Sequence, residues 1–274
     1  MSERYIHSFA PDEQARLVRQ GRFLAPWVQP GVDFAGCGEV LEVGCGVGAQ
    51  LAVLLERFPH TRFTGIDLSP VQLAQARALL AEPLAAGRVE LEEGSAYRLP
   101  FADGQFDGAC IFWVLEHLPD PAGVLKEVLR VLKPGGVLYC TEVFNAGLYA
   151  YPPQPALTAW WRMFNELQRD LGGDPDVGVR LGALLDEAGF THIGFREVSP
   201  QVDARLRDPA RRREELDFWL TLLRSGATTL QAHGRVGEGD LAALENAFAN
   251  LTRNPHSIFR YAAFQASGRK PLQA

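Results

Sequence analysis

Two rhythms alternate along this chain. Short apolar runs of strand length are followed, after a polar break, by stretches in which apolar residues recur every three to four positions. Val40–Val43 predicts a strand and Ala49–Phe58 a helix, with Leu51, Leu54, Leu55 and Phe58 on one face. Arg62–Ile66 predicts a second strand. Ser69 then supplies an N-cap, and Pro70 a first helical residue, for a helix reaching about Leu80. Arg88–Glu92 is a third strand, and Gly108–Val114 a fourth, apolar almost throughout as a strand covered on both faces should be. Asp120-Pro121 opens a helix whose Val124, Leu125, Val128, Leu129 and Leu132 form one stripe. Lys133-Pro-Gly-Gly136 ends it, and Gly136–Val143 is the fifth strand. Strands separated by helices of this length predict βαβ units and a mostly parallel sheet.

The second half is less regular. Helices are predicted over 156–171, with Trp160, Trp161, Phe164 and Leu167 on one side, and over 179–188, 208–231 and 239–251. Strands are predicted near 191–198 and 258–266, which brings the total to seven. The fold expected is α/β: a doubly wound, mostly parallel seven-stranded Rossmann-like sheet with helical cap insertions. Three regions follow: a helical lead-in or flap (1–38, with a helix around 12–20), a ligand-binding core (39–145), and a completion of the sheet (146–274). The last carries a cap at 156–171 and 208–251.

Composition narrows the function classes. The chain has 274 residues, 47% hydrophobic and 22% charged, enough for a sizeable core. Its net charge of −6 argues against a nucleic-acid partner, which demands a basic face. Polar residues interrupt every apolar stretch, so no bilayer span is expected, and the first residues do not read as a signal peptide. Four scattered cysteines without a C-x-x-C pair predict a reducing, cytoplasmic setting, and neither they nor the six histidines have metal-site spacing.

The chemistry concentrates at Val40-Leu-Glu-Val-Gly-Cys-Gly-Val-Gly-Ala49. A strand runs into Gly44, Gly46 and Gly48 and then into a helix, the unit that brings backbone against a nucleotide-like ligand. Asp67 stands where the second strand should end, placed to accept hydrogen bonds from both hydroxyls of a ribose. Loop and acid together do not separate a dinucleotide from other adenosine ligands, since Gly44-x-Gly46-x-x-Ala49 also fits the dinucleotide pattern. The ordered series Leu41–Gly48, Gly65-Ile-Asp-Leu-Ser69, Leu99-Pro-Phe101, Phe106-Asp107, Leu115-Glu-His-Leu118 and Leu132-Lys-Pro-Gly-Gly136 resembles the class I S-adenosylmethionine-dependent methyltransferases, most of all those acting on small molecules. The match covers about residues 39–143, with a fainter echo at Leu184–Phe190.

That resemblance implies S-adenosylmethionine as cofactor. Gly44, Gly46 and Gly48 would line its methionine end, Asp67 would hold the ribose, and Leu68 would pack on the adenine. Glu42 would order the loop or meet the amino group through water. One departure stands out: Ser95, before Ala96, occupies the place where the family usually has an acidic residue facing the adenine amino group. Methyl transfer from a sulfonium asks the protein chiefly for alignment, exclusion of water and, where the nucleophile requires it, a base. His117, after the fourth strand, could be that base, or could simply begin a turn. Glu142, ending the fifth strand, could bind a substrate amine or hydroxyl, or could support the site from behind. Trp113 could flank the cofactor or belong to the core. Phe144, Tyr149, Tyr151 and Trp160, with Trp161, could wall a flat or cationic substrate or pack a cap helix. Tyr5, His7 and Phe9 could fold over the cofactor as a flap. Three rivals follow from the same residues: an NAD-dependent oxidoreductase, a nucleic-acid methyltransferase (which usually carries N-P-P-[YF] or D-P-P-[YF] where this chain has Trp113-Val-Leu-Glu116), and a non-catalytic cofactor-binding module. The acceptor atom and the oligomeric state have no signature in the sequence.

Overall fold

A computed structural model describes residues 6–7 and 10–272. In chain order the strands are β1 (Glu39–Val43), β2 (Arg62–Asp67), β3 (Val89–Glu93), β4 (Phe106–Phe112), β5 (Leu132–Val143), β6 (Tyr149–Tyr151), β7 (Thr191–Glu197), β8 (Gln201–Val202), β9 (Ile258–Arg260) and β10 (Ala263–Arg269). The helices are α1 (Pro11–Val28), α2 (Ala49–Arg57), α3 (Pro70–Leu79), α4 (Ala81–Ala85), α5 (Pro121–Val131), α6 (Pro155–Asp170), α7 (Val177–Ala188), α8 (Pro209–Arg224), α9 (Ala227–Ala232) and α10 (Glu238–Arg253).

Seven strands form one sheet in the order β3-β2-β1-β4-β5-β10-β7. β1 to β5 pair in parallel, and β10 runs antiparallel to both of its neighbours. The sheet is therefore doubly wound. Alternate residues of β1 and β4 serve opposite faces: Val40, Cys110 and Phe112 pack with α2, α3 and the cap helices, whereas Leu41, Val43, Ala109 and Ile111 pack with α5 and α7. Each fully buried leucine of α2, such as Leu51 or Leu54, stabilises this arrangement by about 1.5–3 kcal/mol. The proline-led helices start as their sequences require, Ser69 capping the Gln72 amide and Asp120 the Gly123 amide.

The strand order reverses at β1, which has β2 on one side and β4 on the other, so a crevice opens at their carboxyl ends. Several of the spaced motifs turn out to brace the opposite edge, where β1, β4 and β5 begin. Arg130 donates to the carbonyls of Leu99 and Phe101 (3.0 and 2.8 Å), and Glu127 accepts from the Leu99 amide (2.9 Å). Asp107 accepts from the Gly38 and Glu39 amides and pairs with Lys133 at 2.6 Å.

Several elements differ from the sequence expectation. The strand expected over 258–266 is two, β9 and β10. β9 leaves the main sheet to form a small antiparallel one with β6 and β8. The helix expected over 208–231 breaks after Arg224, where Gly226 packs against the Phe164 ring. The lead-in helix runs to Val28, past Pro26. No helix among the described residues is long and apolar enough to cross a membrane.

Candidate active site

β1 ends at Val43 and the chain turns at Gly44. Its φ of +73° favours glycine, and a Cβ there would stand 2.5 Å from Val114 Cγ2. The loop hangs on β2, since the Gly44 and Cys45 amides both donate to the Ile66 carbonyl. At Gly46 nothing lies within 4 Å of a would-be Cβ, so this side of the loop faces open space. Asp67 accepts from the Gly46 amide through one oxygen and from the Ser69 amide through the other, both at 2.8 Å, with Leu68 exposed beside it. Burial raises the Asp67 pKa, and these amides pull it back.

Glu42 is buried on the α2 face of β1. Burial and the nearby Asp67 charge push its pKa well up, against the Leu51 amide at the start of α2. Its second carboxylate oxygen has no hydrogen-bond partner among the described residues. A buried carboxylate oxygen without a partner, an open glycine turn and a carboxylate at the end of β2 fit one ligand bearing an ammonium group and a ribose. The Ser95 hydroxyl oxygen accepts from the Tyr97 amide at 3.2 Å, closing its own turn, and Ala96 packs on the α5/α7 side of the core.

Beyond the loop lies a cavity of about 50 Å³. Val114 packs against Gly44, and Trp113, the residue before it, lines the cavity. Trp113 holds a left-handed backbone (φ 60°), a conformation costing a bulky residue about 1–3 kcal/mol, and its buried indole N–H has no partner among the described residues. Glu116 and His117 follow in the next turn. Glu116 accepts from the Gln168 amide group at 2.8 Å and lies 3.7 Å from His117 Nε2. Burial lowers the His117 pKa, and the Glu116 charge partly offsets this, so the imidazole is neutral at neutral pH. His7 stands edge-on to His117 with ring centroids 5.9 Å apart and shares a hydrogen bond with the Ser225 hydroxyl (2.7 Å). Burial, then the Arg16 charge, holds its pKa well below the usual histidine value.

The opposite wall comes from α1 and the cap. Arg16 is clasped by Glu13 through two bonds (2.7 and 2.6 Å), and Trp161, Phe164 and Tyr261 supply aromatic faces. Trp161 donates to the Asn145 carbonyl at 2.8 Å. α1 lies across the mouth of the crevice. Gln14 donates to the Val71 carbonyl and to Gln72 of α3, and a Cβ at Gly21 would stand 2.9 Å from Ala49 Cβ at the start of α2.

His117, His7 and Trp113 thus meet in one cavity, a short way from Glu42, the glycines and Asp67. Four aromatics expected as substrate walls do not line it. Trp160 is core, its indole donating to the Leu223 carbonyl (2.9 Å). Phe144 packs on Phe264, and Tyr149 and Tyr151 stand half-exposed on β6. Tyr5 and Phe9 lie outside the described residues. Glu142 is fully buried and receives the amides of Val114 and Leu115 on one oxygen (2.9 and 2.8 Å) and that of Glu116 on the other (3.3 Å). Burial, with the Glu116 charge next, pushes its pKa well up while these amides oppose it. Glu142 therefore anchors the His117 turn and does not reach the cavity. Arg16, Gln20 and Tyr261 line the site without having been singled out in the sequence: α1 shows only a generic polar face there, and Tyr261 stood inside a supposed continuous strand.

Residues 41–140 match a family model described as a methyltransferase domain. The chain is 34% identical over 163 residues to O-methyltransferase resE of Aspergillus sclerotiorum, covering 60% of this chain and 58% of that one. It is 31% identical over 176 residues to demethylmenaquinone methyltransferase of Lactiplantibacillus plantarum, covering 60% of this chain and 72% of that one. The chain thus spans less than two thirds of the fungal relative. Among solved structures, the [4+2]-cyclase SpnF has the same fold (TM-score 0.54, 24% identity, 93% of this chain and 82% of that one).

Proposed function

This chain belongs to the class I S-adenosylmethionine-dependent methyltransferases, and we propose that it methylates an oxygen nucleophile of a small-molecule acceptor held beside His117. The fold alone does not carry this, since a chain named a cyclase shares it. One observation does: a neutral, shielded His117, backed by Glu116, faces a cavity lined by Trp113, whose chain neighbour Val114 packs on the glycine turn. Relatives named as O-methyltransferases, such as resE and the tocopherol enzyme of Arabidopsis thaliana, support oxygen over nitrogen.

S-adenosylmethionine, when bound, supplies a methyl carbon already activated on a sulfonium. Gly44, Gly46 and Gly48 would cradle its amino-acid end, Glu42 would face its ammonium group, and Asp67 would take the ribose. Leu68 and Ala96 would flank the adenine with Ser95. The rest of the chain orients and deprotonates the acceptor. His117 accepts the hydroxyl proton, and Glu116 stabilises the imidazolium that results. Trp113, Trp161, Phe164 and α1 keep water out. In this reading residues 39–145 hold the donor, while 1–38 and 146–274 build the acceptor side. The acidic charge and four free cysteines support a cytoplasmic setting away from nucleic acid.

Titration calorimetry with S-adenosylhomocysteine and, separately, NAD tests the donor assignment. Binding of the first and none of the second is expected. Binding of NAD alone would overturn it.

A further inference from the structure

The cavity beside His117 carries a charge that its own residues leave unbalanced. Glu116 is buried in its lining and accepts from the uncharged Gln168 amide group, and among the described residues no Lys or Arg pairs with it. His117, 3.7 Å from it, is neutral, and so is His7. The other ionised pair on the wall is closed on itself, since Glu13 takes two bonds from Arg16. One buried carboxylate thus lines the cavity without a cation of its own, and buried charges are held in proteins by a counter-charge. The remaining walls suit a cation. Trp113, Trp161, Phe164 and Tyr261 line the space, with Trp161 and Phe164 stacked at 4.9 Å and Tyr261 6.1 Å from Trp161, and aromatic rings attract a desolvated cation. Size limits which cation. The cavity of about 50 Å³ is roughly a third of one that admits benzene, so a methyl-bearing onium head fits and a ring does not. Two ties set this space beside the glycine turn. Trp113 precedes Val114, which packs on Gly44, and Gln20 precedes Gly21, where a Cβ would stand 2.9 Å from Ala49 Cβ just past Gly48.

From this arrangement we infer that Glu116 and the rings around it form a seat for one compact onium charge, and that its occupant is the methylsulfonium of the donor. The inference rests on the donor assignment above. An acceptor's ammonium shares the chemistry, but an oxygen nucleophile brings no charge and the donor brings one. The seat also gives the donor a direction. The glycine turn and Asp67 take its amino-acid end and its ribose, and Glu116 draws the charged centre between them toward β4 and His117. The charge balance then holds across the transfer. The hydroxyl proton goes to His117, the oxygen pair forms the bond to the methyl carbon, and the carbon–sulfur pair stays with sulfur. An ether, a neutral thioether and an imidazolium result, so Glu116 faces one positive charge before and after. The seat therefore tells the loaded donor from the spent one. Once His117 releases its proton, S-adenosylhomocysteine leaves the carboxylate uncompensated and is the weaker ligand.

Titration calorimetry on the full chain compares S-adenosylmethionine, S-adenosylhomocysteine and sinefungin, in which a carbon bearing an ammonium replaces the methylsulfonium. The two cations should bind about 10–100-fold tighter than S-adenosylhomocysteine, because a desolvated cation on aromatic faces gains about thirtyfold in affinity before the carboxylate adds to it. Glu116→Gln keeps an oxygen for the Gln168 amide group and removes the charge. It should bring both ratios to within about threefold, with S-adenosylhomocysteine affinity and melting temperature held. Trp161→Leu should narrow them by about 3–10-fold, and since each ratio is internal to one variant, a loss of stability does not obscure it. Ratios under about tenfold in the wild type, or ratios that Glu116→Gln leaves in place, overturn the inference. Methylammonium at millimolar concentration separates the two sources of charge. Saturation-transfer NMR should show it excluded from the sinefungin-loaded chain. A signal there that Glu116→Gln abolishes would give the seat to an acceptor's ammonium and overturn the inference. Failure of all three donor ligands to bind would instead bring down the donor assignment itself.

Discussion

Replacing Glu142 by glutamine separates two roles that the same residue could hold. In the structure its Oε1 takes the Val114 and Leu115 amides and its Oε2 the Glu116 amide at 3.3 Å, none of it facing the cavity. Glutamine keeps one oxygen for the first two amides and turns an NH₂ group toward the third. The loss is one long hydrogen bond, replaced by two donors facing each other in a buried site, which costs about 1–3 kcal/mol. The burial-driven rise of the Glu142 pKa reduces the penalty for a neutral side chain, which favours the lower end of that range. For a chain of this size the melting temperature should fall by about 2–4 °C per kcal/mol, so by about 2–12 °C. Trp113 sits in its left-handed conformation at the head of the same turn, and relaxation there should slow methyl transfer several-fold. S-adenosylhomocysteine affinity should hold. Differential scanning fluorimetry and a transfer assay on the same preparation read both effects. A melting temperature unchanged within error together with a loss of about 10²–10⁴ in turnover, the size expected for deleting a proton acceptor, would refute the anchoring role.

Asp67→Ala should weaken S-adenosylhomocysteine by about 10²–10⁴-fold, because two bonds to a charged group are lost and the Gly46 amide loses its acceptor. A calorimetric Kd within twofold of the wild type would contradict this. Gly21→Val puts a branched Cβ 2.9 Å from Ala49 Cβ and 3.0 Å from the Ala49 carbonyl oxygen at the start of α2. A loss of about 1–3 kcal/mol in urea unfolding is expected, with weaker cofactor binding, and an unchanged midpoint would contradict it. His7 is held neutral in the fold, so below about pH 6.5 the unfolded chain takes up a proton that the folded chain resists, and stability falls as pH falls. Glu42 and Glu142, whose pKa values are raised, act in the opposite sense, so the measurement is the difference between His7→Gln and wild type. The variant should gain on the wild type from pH 7.5 to about 5.5, and a constant difference would contradict the assignment.

The parallel half of the sheet was legible because each of its elements is long, strongly periodic and bounded by its own breakers: Gly44 after β1, Ser69-Pro70 before α3, Asp120-Pro121 before α5. The glycine turn, Asp67 and His117 could be placed for the same reason, as they lie at strand ends that the pattern marks. Where the pattern is weak, tertiary contacts decide. Ile258–Ala266 carries no glycine or proline, yet the chain changes sheets at Tyr261-Ala262. β6 and β8 are too short to register a period at all. On α6 the stripe of Trp160, Trp161, Phe164 and Leu167 is buried as its spacing predicts, but the polar Asn165 and Gln168 are buried with it, which the pattern does not show. Glu142 illustrates the limit at the site: an acid ending a strand at the ligand edge reads as chemistry, but nothing local shows that three amides of a distant turn claim it. The cavity wall from α1 was invisible because Arg16 and Gln20 sit on an ordinary polar helix face, with only Gly21 as a hint of a close crossing.

The central claim is that the donor's sulfur opens into the cavity of His117. A crystal structure of the full chain with S-adenosylhomocysteine measures this directly. The account predicts the ribose hydroxyls on Asp67, the amino group toward Glu42, and the sulfur beside Trp113 with an unobstructed line to His117. A ribose held elsewhere, or a sulfur walled off from His117 by α1 or by Trp113, would contradict it.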